Sequence, residues 1–190
     1  MAEEMKNENK NSPNNTGKKP LQFTGRIWIL KDEKGNLFPD IDTDMIYHNQ
    51  HLAITDIKQM GQYALGNLKG YKDFAKNAKP GDIVLAGKNF GAGSSRQQAV
   101  DCFVSLGISC VIAESFGAIY KRNAINSGFP ILEVDGEIPK ELNHLDIVTV
   151  DMEKSEVRKG DKVIFRLRKP SKVQLDIYHA GNIFDYAKNM

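Results

Sequence analysis

Asp82-Ile83-Val84-Leu85-Ala86 runs straight into Gly87-Lys88-Asn89-Phe90-Gly91-Ala92-Gly93-Ser94-Ser95-Arg96, and the order of these residue types decides the fold class. A short apolar run bounded by Pro80-Gly81 and Gly87 reads as a buried strand. A loop of three glycines follows, and a helix is expected to begin at Ser94 or Ser95. On it Ala99, Cys102, Phe103 and Leu106 fall at i, i+3, i+4 and i+7 and make one apolar stripe. Gly107 stands where a helix ends in left-handed geometry. The pattern then repeats: a strand over Ser109–Ala113, a helix from about Gly117 to Asn126 stopped by Gly128, and a strand over Pro130–Val134. Two successive βα units predict an α/β domain with a parallel sheet core and right-handed crossovers.

Toward the N-terminus, Gly25–Leu30 reads as a strand, Lys34-Gly35-Asn36 as a turn and Phe38 to about Thr55 as a polar loop. Asp56 is placed to cap a helix reaching about Leu65, with Gln59 at its third position, and Tyr71–Ala78 reads as a second short helix. Beyond residue 144 short strands take over. Ile147–Val150 and Lys162–Leu167 flank two turn-like stretches, and Ile183–Lys188 suits a last helical turn. Residues 1–20 are rich in Asn and Lys and nearly free of bulky apolar side chains. Such a segment cannot offset its ordering entropy, so residues 1–22 are expected to be a disordered polar tail and residues 23–190 the folded domain.

Composition excludes several classes. A formal charge of +2 in 190 residues, with no basic run interleaved with aromatics, gives no footing for nucleic acid. No apolar stretch approaches the roughly 20 residues that span a bilayer, and Glu3, Glu4 and Glu8 do not suit a secretory signal. No membrane association and a cytoplasmic location are therefore expected. The two cysteines, Cys102 and Cys110, form no CxxC or Cys/His cluster, so no metal is expected on this chain, and both read as buried, reduced thiols.

The glycine loop carries the chemistry. Free N–H groups at a helix start favour a carboxylate or phosphate. A Walker loop would need Lys-Ser/Thr after its second glycine, and a dinucleotide fingerprint a third glycine where Arg96 stands. The plain alternative is a tight turn with a capping serine. Arg96 weighs against it, because a cation in the first helical turn opposes the helix dipole unless a bound anion lies between. Ser94 beside that anion is then a candidate acid or base. Residue logic ends at a carboxylate-binding loop with a placed hydroxyl.

The same run resembles the signature N-F-G-x-G-S-S-R of the aconitase superfamily. Asp40-Ile41-Asp42-Thr43-Asp44-Met45-Ile46 is similar to that family's D-[IL]-x-T-D-x-I. Ile112-Ala113-Glu114-Ser115-Phe116-Gly117 with Arg122–Gly128 is similar to its A-x-S-F-x-x-I-x-x-R-N-x-x-N-x-G block. The resemblance covers roughly Gly25 to Leu132. It implies a swivel β/β/α domain: the small subunit of a heteromeric hydro-lyase that closes over a large catalytic subunit carrying a [4Fe–4S] cluster. By residue match, Ser94 is the base that moves the substrate proton, and Gly93, Ser95 and Arg96 bind a carboxylate of a small hydroxy-dicarboxylic acid. Asp44 either bonds an active-site group or caps a turn. The implied reaction is interconversion of 2-isopropylmalate and 3-isopropylmalate in leucine biosynthesis. Related hydroxy-acid hydro-lyases, of the homoaconitase, dimethylmalate or methylmalate type, are alternatives, as is a non-catalytic carboxylate-binding module.

Departures from the family pattern bear on specificity. Relatives carry Y-L-R-T or similar in the loop after the first motif, where this chain has Tyr47-His48-Asn49-Gln50-His51-Leu52-Ala53. Ala53 takes the arginine's place, so Tyr47, His48, His51, Leu52 and Ala53 are expected to form a specificity loop favouring an alkyl substituent over a second carboxylate. His48 and His51 lack a third ligand and read as polar residues at a substrate mouth. Arg122 and Asn123 are expected to knit their loop to the sheet rather than touch substrate.

Overall fold

The computed structural model describes residues 19–188 and residue 190, so most of the expected tail, residues 1–18, lies outside the described residues. Its elements run β1 Gln22–Ile29, α1 Thr43–Ile46, α2 Ile57–Met60, α3 Phe74–Asn77, β2 Ile83–Ala86, α4 Gln98–Leu106, β3 Cys110–Ala113, α5 Ala118–Asn126 and β4 Ile131–Asp135. The C-terminal part adds β5 Ile147–Asp151, β6 Glu156–Lys159, β7 Lys162–Leu167, α6 Lys172–Ala180 and α7 Ile183–Lys188. Residues 20–22 are tied down, with Pro20 O accepting from the Tyr178 hydroxyl at 2.6 Å and Leu21 O from Met152 N–H at 2.9 Å. The boundary read from the sequence at 22/23 therefore falls inside β1.

The expected parallel sheet is half of what forms. β1, β2, β3 and β4 are parallel neighbours, but β7, β6 and β5 continue the sheet antiparallel and return to β1, so the seven strands close into a barrel. β1 is the seam. Its first half pairs antiparallel with β5, Gln22 opposite Asp151, and its second half parallel with β2, Ile27 opposite Ile83.

Why β2 and β3 read as unbroken apolar runs is now clear: all of their residues are buried. Ile83, Leu85, Cys110 and Ile112 join Ile27, Val150, Val157 and Phe165 in one cluster filled from both halves of the barrel. The alternate residues Val84, Ala86, Val111 and Ala113 lie in a second cluster, with Trp28, Phe103 and Tyr120, under the helices. The side-chain period of two sends neighbours to opposite faces. Cys102 and Cys110 consequently belong to different clusters, and both are free and buried.

Several helices are shorter than their patterns suggest. Asp56 does cap α2, accepting from Lys58 N–H at 3.0 Å, but the α-turn gives way to a 3₁₀ turn at Gly61–Tyr63. There α4 approaches so closely that a Cβ on Gly61 would stand 2.9 Å from Ser105 Oγ. Tyr71 lies outside α3 and pins β1 instead, its hydroxyl accepting from Lys31 N–H at 2.6 Å and donating to Ile29 O at 3.1 Å. The Phe38–Thr55 loop contains α1 and a 3₁₀ turn at Asn49–His51. α6, capped by Ser171, was not anticipated. Among the described residues no helix is long and apolar enough to cross a membrane.

Candidate active site

The loop from β2 to α4 is threaded between two other segments. On one side Gly91 N–H donates to Ile41 O at 2.7 Å and Thr43 N–H to Ala92 O at 2.9 Å. On the other, Phe90 N–H donates to Ser115 O at 3.0 Å and Gly117 N–H to Phe90 O at 2.8 Å. The close approach requires glycine at one point: at φ +77° Gly91 faces the Tyr120 ring, whose Cγ would lie 2.2 Å from any Cβ there. Backbone pairing on both flanks makes this loop a rigid support, as a site needs.

Beyond the pairing, Gly93, Ser94 and Ser95 emerge exposed. Thr43 Oγ1 donates to Ser94 O at 3.2 Å, while the two hydroxyl oxygens stand 3.5 Å apart, too far for a firm bond. The Ser94 hydroxyl is thus held in place by its backbone and left open to chemistry. The Ser95 hydroxyl accepts from Asn123 Nδ2 at 3.2 Å. Asn123, expected to knit its loop to the sheet, thus also ties that loop to Ser95.

The expected helix start at Ser94 or Ser95 is corrected by the structure. α4 begins at Gln98, because Gly93 takes φ +95° and Ser94 O is engaged by Thr43; the first helical bonds are accepted by Arg96 O and Gln97 O. Ser94 is therefore no helix cap, and Arg96 does not sit in a first turn against the dipole. Arg96 is instead paired within the chain: Nη1 donates to Asp44 Oδ1 at 2.6 Å and to Tyr47 O at 3.0 Å. Asp44 thus bonds Arg96 and also caps the following turn, since Oδ1 accepts from Asn49 N–H at 3.1 Å. The Arg96 guanidinium, chiefly, holds the Asp44 carboxyl below the usual carboxylate range, with Asn49 N–H adding to it against partial burial.

The expected specificity loop divides. Tyr47 is fully buried and lines no surface: its ring sits in the core and its hydroxyl donates to His51 O at 3.1 Å. His48 and His51 border a cavity of about 310 Å³ with Tyr63 and Asn67, and His51 stacks on Tyr63 with centroids 3.8 Å apart. Burial, helped by His48, lowers the His51 imidazole below its ordinary value. Leu52 and Ala53 are exposed, and Leu52 O accepts from Gln98 Nε2 at 3.4 Å, which sets this loop beside the start of α4. A larger cavity, about 760 Å³, opens by Lys31, Tyr71 and His144 and includes none of the Ser94 loop.

The aconitase C-terminal domain family matches residues 40–137, which hold the loop and both segments that brace it. The chain belongs to the aconitase C-terminal domain family. Its relatives agree in length as well as in sequence. The isopropylmalate/citramalate isomerase small subunit of Methanocaldococcus jannaschii is 38% identical over 167 residues, 86% of this chain and 92% of that one. The 3-isopropylmalate dehydratase small subunit of Aquifex aeolicus is 37% identical over 170 residues, 88% of this chain and 95% of the relative. A crystal structure of 3-isopropylmalate dehydratase from Methanocaldococcus jannaschii superposes with a TM-score of 0.76 at 33% identity, covering 88% of this chain and 94% of that chain.

An iron–sulfur cluster would need accessible cysteine thiolates as ligands. Cys102 and Cys110 do not fit: both side chains are fully buried, and burial pushes both thiols far above their ordinary range, away from the thiolate a metal needs. Among the described residues no group of three His, Cys, Asp or Glu is placed to hold a metal ion. Two site residues escaped sequence reasoning. Thr43 lies inside the Asp40–Ile46 segment, where nothing local marks its hydroxyl, and Asn67, which donates to Asp44 Oδ2 at 3.0 Å, has no local signal at all.

Proposed function

We propose that this chain is the small subunit of a heteromeric hydro-lyase that interconverts 2-isopropylmalate and 3-isopropylmalate by dehydration and rehydration in leucine biosynthesis. The observation that carries the reading is the Ser94 hydroxyl, exposed and nearly unbonded on a doubly braced loop, two residues from an arginine whose pose is set by Asp44. The full-length relatives named as isopropylmalate dehydratase or isomerase small subunits support it.

In this reading Arg96, Ser95 Oγ and the Gly93 N–H bind one substrate carboxylate and align the adjacent C–H with Ser94 Oγ. Ionised Ser94 takes that proton, the C–H pair becomes the new C=C bond, and the C–O bond breaks with its electron pair leaving as hydroxide on the side of the large subunit. Returning the proton to the neighbouring carbon, with hydroxide added at the other, gives the isomer. Arg96 and the backbone dipoles stabilise negative charge on both serine and substrate, the kind of pre-set electrostatics that lowers such barriers. We assign the [4Fe–4S] cluster to the large subunit, since both cysteines of this chain are buried and no other cluster ligands are placed among the described residues, and we place the assembled enzyme in the cytoplasm. The name of the Methanocaldococcus relative joins citramalate to isopropylmalate, which favours alkyl-substituted malates as the substrate class.

Purification with the candidate large partner under anaerobic conditions, followed by ultraviolet detection of the enoate, tests the reading. Isopropylmalate should give enoate with the complex and none with this chain alone. Turnover by the isolated chain, or a complex inactive on every malate derivative, would overturn it.

A further inference from the structure

We propose that Asn67 is a positioning residue of the Ser94 site: it sets the Asp44 carboxylate, which in turn sets the edge of Arg96 that faces substrate. This rests on the reading that Arg96 binds a substrate carboxylate. Arg96 Nη1 carries two hydrogens, and both are spent, one on Asp44 Oδ1 and one on Tyr47 O. The edge left to a ligand is therefore Nε with Nη2, which receives a carboxylate bidentately. That choice depends on where Asp44 stands. Its Oδ2 accepts from Asn67 Nδ2 at 3.0 Å, and the same amide nitrogen donates to the Asp44 carbonyl at 3.3 Å. One amide thus ties the carboxylate to its own backbone. His48 Nε2, the other group on that side, is 4.0 Å from Oδ2 and too distant to do so.

Asn67 comes from a separate segment that is itself anchored. Leu65 N–H donates to Ile46 O, the last residue of α1, at 2.8 Å, and the buried Leu65 and Leu68 fix the turn on which Asn67 rides. Asp44, itself on α1, is thereby gripped by Arg96, by Asn49 and by a turn 23 residues onward.

Two measurements test this with Asn67→Ala in the full chain. In the isolated chain, the carbon resonance of the Asp44 carboxyl reports its titration. The midpoint should rise by about half a pH unit or more as the Arg96 pair loosens, with the melting temperature unchanged because Asn67 is exposed. In the complex with the large subunit, KM for isopropylmalate should rise roughly 3–10-fold with kcat within about twofold, as expected for loss of carboxylate binding common to ground and transition states. Asn67→Asp, which opposes a second carboxylate to Asp44, should exceed both effects. An unchanged Asp44 midpoint, or an unchanged KM in an active complex, overturns the proposal. A wild-type complex inactive on all malate derivatives would refute the reaction instead, and the titration alone would then decide the role of Asn67.

Discussion

Replacing Ser94 with alanine separates a base from a structural hydroxyl, because the two roles predict opposite patterns of loss. A serine that caps a helix costs about 1–2 kcal/mol when removed. Ser94 is not in that position: α4 starts at Gln98, and among the described residues the hydroxyl's one contact is Thr43 Oγ1 at 3.5 Å. The side chain is exposed, so the expected change in stability is within about 0.5 kcal/mol, or under about 2 °C in melting temperature for a chain of this size. Losing a placed base should lower kcat by about 10²–10⁴-fold, equivalent to roughly 2.7–5.4 kcal/mol of barrier. Circular-dichroism melting of the chain alone gives the first quantity. Size-exclusion chromatography of the complex checks assembly, and anaerobic enoate absorbance with saturating isopropylmalate gives kcat. Activity within about threefold of wild type would refute the base assignment. A melting temperature lowered by more than about 4 °C would show that the hydroxyl holds the loop together.

Ala53→Arg should raise kcat/KM for citrate or homocitrate relative to isopropylmalate by about tenfold or more, because a guanidinium would pair a distal carboxylate that otherwise goes unmatched. Competition assays with paired substrates measure this, and an unchanged ratio would remove Ala53 from the specificity loop. Gly91→Ala should destabilise the fold by about 2–4 kcal/mol, since a Cβ at φ +77° would press into the Tyr120 ring; the urea midpoint reports it. For Asp82, burial alone would raise the carboxyl, but bonds from Arg26, Lys79 N–H and Trp28 Nε1 hold it below its ordinary value. Its contribution is therefore complete above the unfolded pKa of about 3.9 and is lost as pH falls through the lower folded value. Asp82→Asn should cost about 2–4 kcal/mol at neutral pH and flatten the acid side of the stability profile, followed by denaturation at stepped pH.

Most of what surrounds the site can be read along the chain, since it depends on residues close together in sequence. The strand–glycine loop–helix order, the stop at Gly107 with φ +72° and the βα units through β4 follow from local apolar period and turn chemistry. The three motif segments also proved to be the ones that pair around Phe90 and Ala92. What tertiary structure alone decided has a common cause. Burial on both faces makes β2 and β3 continuous apolar runs whether the sheet lies open or curls closed, so closure was set by β5, β6 and β7 returning antiparallel to β1. The late start of α4 depended on Thr43, 51 residues away, engaging the Ser94 carbonyl. Arg96 and Asp44 are 52 positions apart, and their charges in sequence say nothing of a 2.6 Å contact. An arginine read as waiting for an anion was already half committed to one, and only the packing of α1 against the loop could bring them together.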